Sequence, residues 1–343
     1  METVTARPPA LPGNRKFVWF SSRRKTPSEY ESYTVGQLSG PHQWLDVDWP
    51  VRFDDGRPPY TEDSTAVRSS DWQAYRDPAQ LWQRPYVSMS SVEEQALSYL
   101  VPAALEDGLV YDINVRWRKE VMGKYFAAWP YVDYGLFLAL SYATREALSD
   151  TVLFTVAFSA SDRMRHLQDI VQSIFQIQDH LPAFTDAAAR GAWLEDPVLV
   201  PTRQIVELIA SCRDWVEVLV AVNLVFEPVV GHLAKDEFFT RFASHNGDGV
   251  LPVILASARR DIHRHLESTT ELVRLLLADP LHGPGNREVI SGWIDRWSTL
   301  SYAAAEALGG LFTLEGITTG PFETAMERTR LRHQEILKEH GLA

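Results

Sequence analysis

Two matching stretches decide the fold: DRMRH at residues 162–166 and DIHRH at residues 261–265, which share the frame Asp-x-x-Arg-His. Both lie in segments whose apolar residues recur at helical spacing. Helical bundles that hold a pair of iron ions place Glu-x-x-His on two of their four helices, because residues i and i+3 share one face. Here the position three before each histidine carries Arg163 or Ile262, so each stretch resembles that motif with its carboxylate missing.

The sequence from residue 91 onward predicts an all-α bundle. Period-2 alternation is almost absent there, and helical periodicity predicts six or more helices, several of them beyond 20 residues. Ser91 with Glu94 predicts a capping box that opens the first helix, and the sequence GPG at 283–285 predicts a stop after the fourth segment. The predicted helical segments are 91–109, 133–178 (two helices or an interrupted pair), 202–233, 251–277, 286–308 and 322–340.

Residues 1–90, here called the arm, differ in composition from the bundle at 91–343. The arm holds ten of the 20 prolines and shows no sustained period, so long regular elements are not expected in it. It is also dense in aromatic residues, which argues against disorder and for docking on a surface. That surface is either this chain's own helical body or a partner chain, for which Trp and Tyr are typical anchors. The interface candidates are Trp19, Tyr30, Trp44, Trp49, Trp72, Tyr75 and Trp82.

One acid, Glu227, lies in the most apolar part of the chain, midway between the two stretches. A metal-binding bundle would take one ligand from such a helix and another from a helix within residues 133–155, whose inward face offers no acid at its centre. A single carboxylate cannot balance two irons, so we expect neither a metal centre nor a catalytic residue in this chain. Glu227 would be costly to keep ionised in isolation, and Arg163 is a candidate partner for a buried ion pair. The alternative is that Arg163 points outward and Glu227 is protonated or hydrogen-bonded.

Overall composition excludes several classes of protein. The 343 residues contain 33 Lys and Arg against 45 Asp and Glu, a formal charge of -12, which argues against a nucleic-acid partner. The longest apolar run, residues 216–226, is too short to span a bilayer, and no secretory signal is visible. Cys212 is the only cysteine, which excludes a disulfide framework. We therefore expect a soluble cytoplasmic protein without a membrane partner.

Four groups of residues, in order along 15–335, resemble the small (β) hydroxylase subunit of bacterial multicomponent monooxygenases, the soluble di-iron enzymes for propane, phenol, toluene and related substrates. The resemblance implies a ferritin-like, ribonucleotide-reductase-like bundle that is related to the iron-binding large subunit but has lost the irons. It also implies Asp-Glu-x-Arg-His as the ancestral ligand motif. The groups are RRKTPSEYE at 23–31, DW at 71–72 with YRDP at 75–78, DRMRHLQ at 162–168, and DW at 214–215 with NLVFEP at 223–228.

The resemblance further implies a structural subunit within an enzyme that hydroxylates a small organic substrate of propane, tetrahydrofuran or phenol type. The di-iron centre would lie in the large (α) subunit, and the two subunits would assemble as a dimer of α–β units. Electrons would come from NADH through a reductase with FAD and an iron–sulfur cluster, and a small coupling protein would regulate the reaction. The alternative is an independent ferritin-like interaction or di-iron protein. The vestigial ligand positions would be Arg163, His166, Glu227, Ile262 and His265.

Overall fold

The computed structural model describes residues 20, 26–37, 56 and 61–342, and this part of the chain contains helices and turns but no strand. Within it, eight helices have 12 or more residues, and we number them in chain order. They are α1 Gln83–Glu106, α2 Trp129–Glu146, α3 Asp150–His180, α4 Val200–Ser211, α5 Trp215–Asn246, α6 Leu251–Leu277, α7 Gly283–Ala307 and α8 Phe322–Glu339. Shorter helices span Glu29–Thr34, Leu109–Asp112, Trp117–Phe126 and Ala189–Glu195, and single turns lie at Glu62–Ser64, Trp72–Ala74 and Leu308–Thr313.

Helix α5 is the central element of the bundle. It contacts α2, α4, α6, α7 and α8, and its segment Val220–Thr240 is wound as a π-helix. The helix is apolar nearly all round, which is the pattern of a helix buried on every side. By length and composition it could cross a membrane, but 94% of its most apolar window is buried inside this protein. It therefore packs as a core helix, although it is much longer than the apolar run that the sequence showed.

The central helices begin and end close to where the sequence predicts. The predicted bounds of α6 are confirmed, α8 differs by one residue, and the segment 133–178 is indeed two helices, α2 and α3. The single helix predicted over 202–233 is wrong, because the chain turns between Ser211 and Trp215. Asp214 causes this restart: its carboxylate accepts hydrogen bonds from the backbone N–H groups of Val216 and Glu217 at 3.0 and 3.1 Å.

Two predicted helix ends are wrong, and in both cases a proline that suggests a break lies in the first turn of a helix. The helix predicted from Ser91 begins eight residues earlier, at Gln83, with Pro85 in its first turn, where its missing N–H costs nothing. The glycine–proline sequence predicted as a stop is likewise the first turn of α7, with Pro284 at its start. Glu93 is then a mid-helix residue, buried against Arg165 at 3.1 Å, rather than part of a cap.

The described part of the arm contains a short helix that the sequence analysis missed. Glu29–Thr34 begins with a complete capping box: the Ser28 hydroxyl accepts from the N–H of Glu31, and the Glu31 carboxylate accepts from the N–H of Ser28. The same carboxylate makes a buried ion pair with Arg76 at 3.2 Å. This contact joins the two described parts of the arm to each other.

The described part of the arm lies on this chain's own bundle. The Tyr75 hydroxyl donates to the carbonyl of Ser268 on α6 at 3.1 Å, and the Ser268 hydroxyl donates to Asp77 at 2.6 Å. The backbone N–H of Asp77 in turn donates to the Tyr30 hydroxyl at 2.9 Å. Tyr30 and Tyr75 are both buried by these contacts. Their prediction as anchors for a partner is therefore wrong, because their rings stabilise the chain's own fold.

Candidate functional site: a buried charge cluster

A fully buried arginine lies at the centre of the bundle. Arg163 projects from α3 and places its Nη1 3.3 Å from Asp133 Oδ1 of α2. The same nitrogen donates a short hydrogen bond to Glu227 Oε1 of α5. The exposed fraction of these three side chains is 3% or less. The buried Arg163–Glu227 pair predicted from the sequence is confirmed, and the alternative of an outward-pointing Arg163 is excluded.

A second cation completes the balance of charge. Lys235, two turns further along α5, places Nζ 2.8 Å from Glu227 Oε2. Burial raises the pKa of Glu227, but Arg163 and Lys235 outweigh it, so the pKa of Glu227 falls to about 2. Burial also lowers the pKa of Arg163, while Glu227 and Asp133 outweigh that effect and raise it. Glu227 and Arg163 are therefore both charged at neutral pH.

Asp133 corrects the sequence analysis, which found no acid at the centre of this helix. Leu136, Leu140 and Ala143 form a buried stripe along this helix. Asp133 precedes Leu136 by three residues, so it continues the same buried stripe by one turn. That spacing could have revealed it, but Asp133 stood at the predicted helix start, where an acid is usually a solvated first-turn residue.

The two Asp-x-x-Arg-His stretches cross each other between α3 and α6. His166 Nε2 lies 2.9 Å from Asp261 Oδ2, and His265 Nε2 lies 2.8 Å from Asp162 Oδ2. Burial lowers the pKa of His265, so it is neutral at pH 7 and donates through Nε2–H to the ionised aspartate. Both histidines are buried and hydrogen-bonded within the core.

The arginines of the two stretches repeat this crossed pattern. Arg165 of α3 forms a short ion pair with Asp261 of α6, and Arg264 of α6 forms one with Asp162 of α3. Burial raises the pKa of both aspartates, but the opposing histidine and arginines outweigh it and hold both pKa values below the usual range. The aspartate of each stretch is thus paired with the arginine and histidine of the other, and these contacts hold α3 against α6.

These side chains do not fit a pair of irons. Arg163 brings a permanent positive charge to the point where Asp133 and Glu227 converge, and the remaining motif position is the apolar Ile262. No group of three or more His, Cys, Asp or Glu among the described residues is arranged to hold a metal ion. What the arrangement can do is structural, because one buried set of charges joins α2, α3 and α5 and a second set joins α3 to α6.

The remaining interface candidates of the arm have different surroundings. Trp72 is half-buried with its ring centroid 5.3 Å from that of Trp215 on α5, so it also packs on this chain's body. Trp82 is half-buried and stacks on the exposed ring of Tyr33 at 4.3 Å. Of the predicted anchors that the structure describes, only Trp82 borders an exposed aromatic surface. Trp19, Trp44 and Trp49 lie outside the described residues.

The fold and the central cluster define a class of protein: a ferritin-like helical bundle of the hydroxylase type. The phenol hydroxylase structure from Pseudomonas sp. OX1 superposes with a TM-score of 0.79 at 18% identity, over 92% of this chain and 91% of that chain. A structure of toluene 4-monooxygenase superposes with a TM-score of 0.73 at 23% identity, over 85% of this chain and 99% of that one. At these identities the likeness establishes the shared fold.

The chain belongs to the methane/phenol/alkene hydroxylase family, whose sequence model matches residues 49–280. It is 30% identical to the propane 2-monooxygenase hydroxylase component small subunit of Rhodococcus jostii, over 96% of this chain and 89% of that relative. It is 33% identical to the methane monooxygenase component A beta chain of Methylosinus trichosporium, over 88% of this chain and 79% of that relative. The resemblance found in the four sequence groups is therefore confirmed.

Proposed function

We propose that this chain is the non-catalytic small subunit of the hydroxylase component of a multicomponent monooxygenase. The observation that carries the proposal lies at the centre of the ferritin-like bundle. There the cations Arg163 and Lys235, rather than metal ligands, balance Asp133 and Glu227. Relatives over nearly the whole chain are small or beta subunits of such hydroxylases. A bundle that is stabilised by internal ion pairs can support the fold of a partner subunit without catalysing a reaction itself.

The chemistry would then lie in other components of the enzyme. We infer a large subunit that carries the di-iron centre and pairs with this chain in a dimer of α–β units in the cytoplasm. Electrons would pass from NADH through a reductase with FAD and an iron–sulfur cluster, and a small coupling protein would regulate turnover. The substrate would be a small organic molecule of propane, tetrahydrofuran or phenol type.

Exposed apolar side chains on α1, α2 and α3 form the surface that suits the large subunit. On α1, Val92 and Tyr99 are spaced seven residues apart on one face and are 66% and 73% exposed. On α3, Phe175 is 59% exposed and lines a groove together with Tyr131 of α2. Large exposed apolar surface of this kind is typical of permanent subunit contacts.

Co-expression with the large subunit tests this proposal. The tagged chain should co-purify with the large subunit in equal amounts, and two irons should be found per large subunit. Tyr99→Glu and Phe175→Glu should reduce the recovered complex at least severalfold, because each buries a charge at the contact. Leu281→Glu, at a 74% exposed position between α6 and α7, is the matched control and should leave recovery unchanged.

The alternative of an independent di-iron protein predicts the opposite result. Two irons bound by this chain in the absence of any partner would overturn the proposal. Equal loss of the complex in all three glutamate variants would instead show that the surface assignment on α1 and α3 is wrong. Substrate-dependent NADH consumption by the assembled components would then identify the substrate class.

A further inference from the structure

A cavity of about 400 Å3 opens between α5, α6 and α8, beside the buried charge cluster. Its floor contains the Glu227–Lys235 ion pair and Gly231, which lies on the same side of α5. A Cβ at Gly231 would collide with the Glu227 carboxylate, so glycine keeps this floor open. The volume falls within the range that holds small-molecule ligands, roughly 300–1,000 Å3.

The wall of the cavity is apolar. Leu255, Ile262 and Leu266 project into it from α6, and Ile336 closes it from α8. Ile262 is one of the two residues that replace a carboxylate in the Asp-x-x-Arg-His stretches. It is half-buried and faces this cavity, so the replacement adds apolar surface at the position where the motif would carry an acid.

The side chains that line the cavity carry a net positive charge, whereas the whole chain is negative. Its lining contains four cationic residues (Lys235, Arg259, Arg260 and Arg332) and two acids (Glu227 and Asp236), whereas the whole chain has a net charge of -12. Arg259 places Nε 2.7 Å from Asp236 Oδ1, and His232 lies 2.9 Å from the same carboxylate, so the only acid at the mouth is already engaged.

Arg332 is the cation left available at the mouth. Arg260 pairs with Glu93 at 3.0 Å, and Lys235 pairs with Glu227 on the floor. Arg332, by contrast, makes no ion pair within the described part of the chain, and it is exposed on α8 one turn from Ile336. An unpaired guanidinium beside an apolar wall is suited to an anion that carries an apolar body.

We propose that this cavity is a binding site for a small organic carboxylate. Its carboxylate contacts Arg332 at the mouth, and its aliphatic or aromatic body packs against Ile262, Leu266 and Ile336. The site borders the buried cluster at the Glu227–Lys235 pair, and it does not depend on the subunit role proposed above. A ligand of about six carbons would bury its chain without displacing the Glu227–Lys235 pair.

Titration with three six-carbon probes tests the site. Hexanoate, hexanol and hexylamine are added to the full-length chain in whichever assembly it purifies, and binding is measured by calorimetry and saturation-transfer NMR. The contribution of this site is the part of the binding that Ile262→Trp removes, since the indole fills the cavity. Leu331→Trp, at a 52% exposed position on α8 outside the cavity lining, is the matched control for adding a tryptophan.

Hexanoate should bind saturably and lose its affinity in Ile262→Trp but not in Leu331→Trp. Arg332→Glu should weaken hexanoate by roughly tenfold, because an attractive screened charge contact becomes repulsive. Arg330→Glu, two residues away and outside the cavity, should not weaken it. Equal affinity for hexanol and hexanoate would overturn the recognition of the carboxylate. Absence of any binding that Ile262→Trp removes would overturn the site itself.

Discussion

The most direct test of the central cluster is Arg163→Ala. The change removes the cation that contacts both Asp133 and Glu227, and it leaves two carboxylates in a site where their side chains are 3% exposed or less. Lys235 still pairs with Glu227, but no other cation is recorded as pairing with Asp133 in the described part of the chain. An unbalanced buried charge is far more costly than the loss of an exposed ion pair, so the variant should be strongly destabilised.

The size of the effect can be worked out in two ways. Removing one partner of a buried ion pair typically costs about 3–5 kcal/mol. Independently, the pKa of Glu227 falls from 4.5 to about 2, a difference of about 3 kcal/mol that Arg163 and Lys235 together supply beyond the cost of burial. An unfolding entropy of about 2.1 cal/mol/K per residue gives about 0.7 kcal/mol/K for the 343 residues. The melting temperature should therefore fall by about 4–7 °C.

Calorimetry and urea unfolding of the wild type and variant measure this loss. Arg330→Ala is the matched control, because Arg330 pairs with Glu306 at 2.6 Å while both side chains are about half exposed. That change should cost less than about 1 kcal/mol. Adding Glu227→Gln to Arg163→Ala should recover part of the stability, since it removes one of the two unbalanced acids. Equal losses for Arg163→Ala and Arg330→Ala would refute the argument.

Three further changes probe the surrounding structure by urea unfolding. Gly231→Ala should destabilise the chain by about 2 kcal/mol or more, because the new methyl collides with Glu227; Gly292→Ala, in α7 with nothing within 4 Å, should instead stabilise it by up to about 1 kcal/mol. Burial lowers the pKa of His333 from 6.5 to about 4. The unfolded chain therefore binds a proton first, and stability should fall as pH drops from 6.5 to about 4, by up to about 3 kcal/mol; an unchanged pH profile in His333→Gln would contradict this. Asp214→Ala should cost about 1–2 kcal/mol by uncapping α5, and no loss would show that the cap is dispensable.

The centre of the bundle was predictable because its residues obey a helical period. Arg163, Glu227 and the two histidines lie in long segments whose apolar neighbours define an inward face, and the structure brings them to that face. The crossing of the two stretches was not predictable, because period alone does not tell which helix faces which. Asp133 was missed for a related reason: at a predicted helix start, an inward acid and a solvated first-turn acid have the same sequence signal.

Helix boundaries and the arm were predicted less well because tertiary contacts decide them. Ser91 and Glu94 match a capping box, yet the helix extends through them, and Glu93 is held by Arg165 from α3. In the sequence, Asp214 does not differ from any other acid within a long apolar segment. Its role as a helix cap follows only from the hydrogen bonds that its carboxylate accepts from two backbone N–H groups. Prolines and aromatics in the arm predict docking but cannot say on which chain. The hydrogen bonds of Tyr75 and Asp77 to Ser268 answer that for the described part.

The balance of charge explains how acids from several helices can be buried together at the centre of this bundle. Acids that face inward from several helices stay ionised only when cations or hydrogen-bond donors balance them. Two cations, Arg163 and Lys235, meet two acids in the central cluster, and the crossed stretches pair two arginines with two aspartates. Within each set the paired cations and acids are equal in number. Apolar side chains could fill the same volume, but they would not fix the relative orientation of α2, α3, α5 and α6, because their contacts are not directional. That fixed orientation is what a scaffold for a second subunit requires.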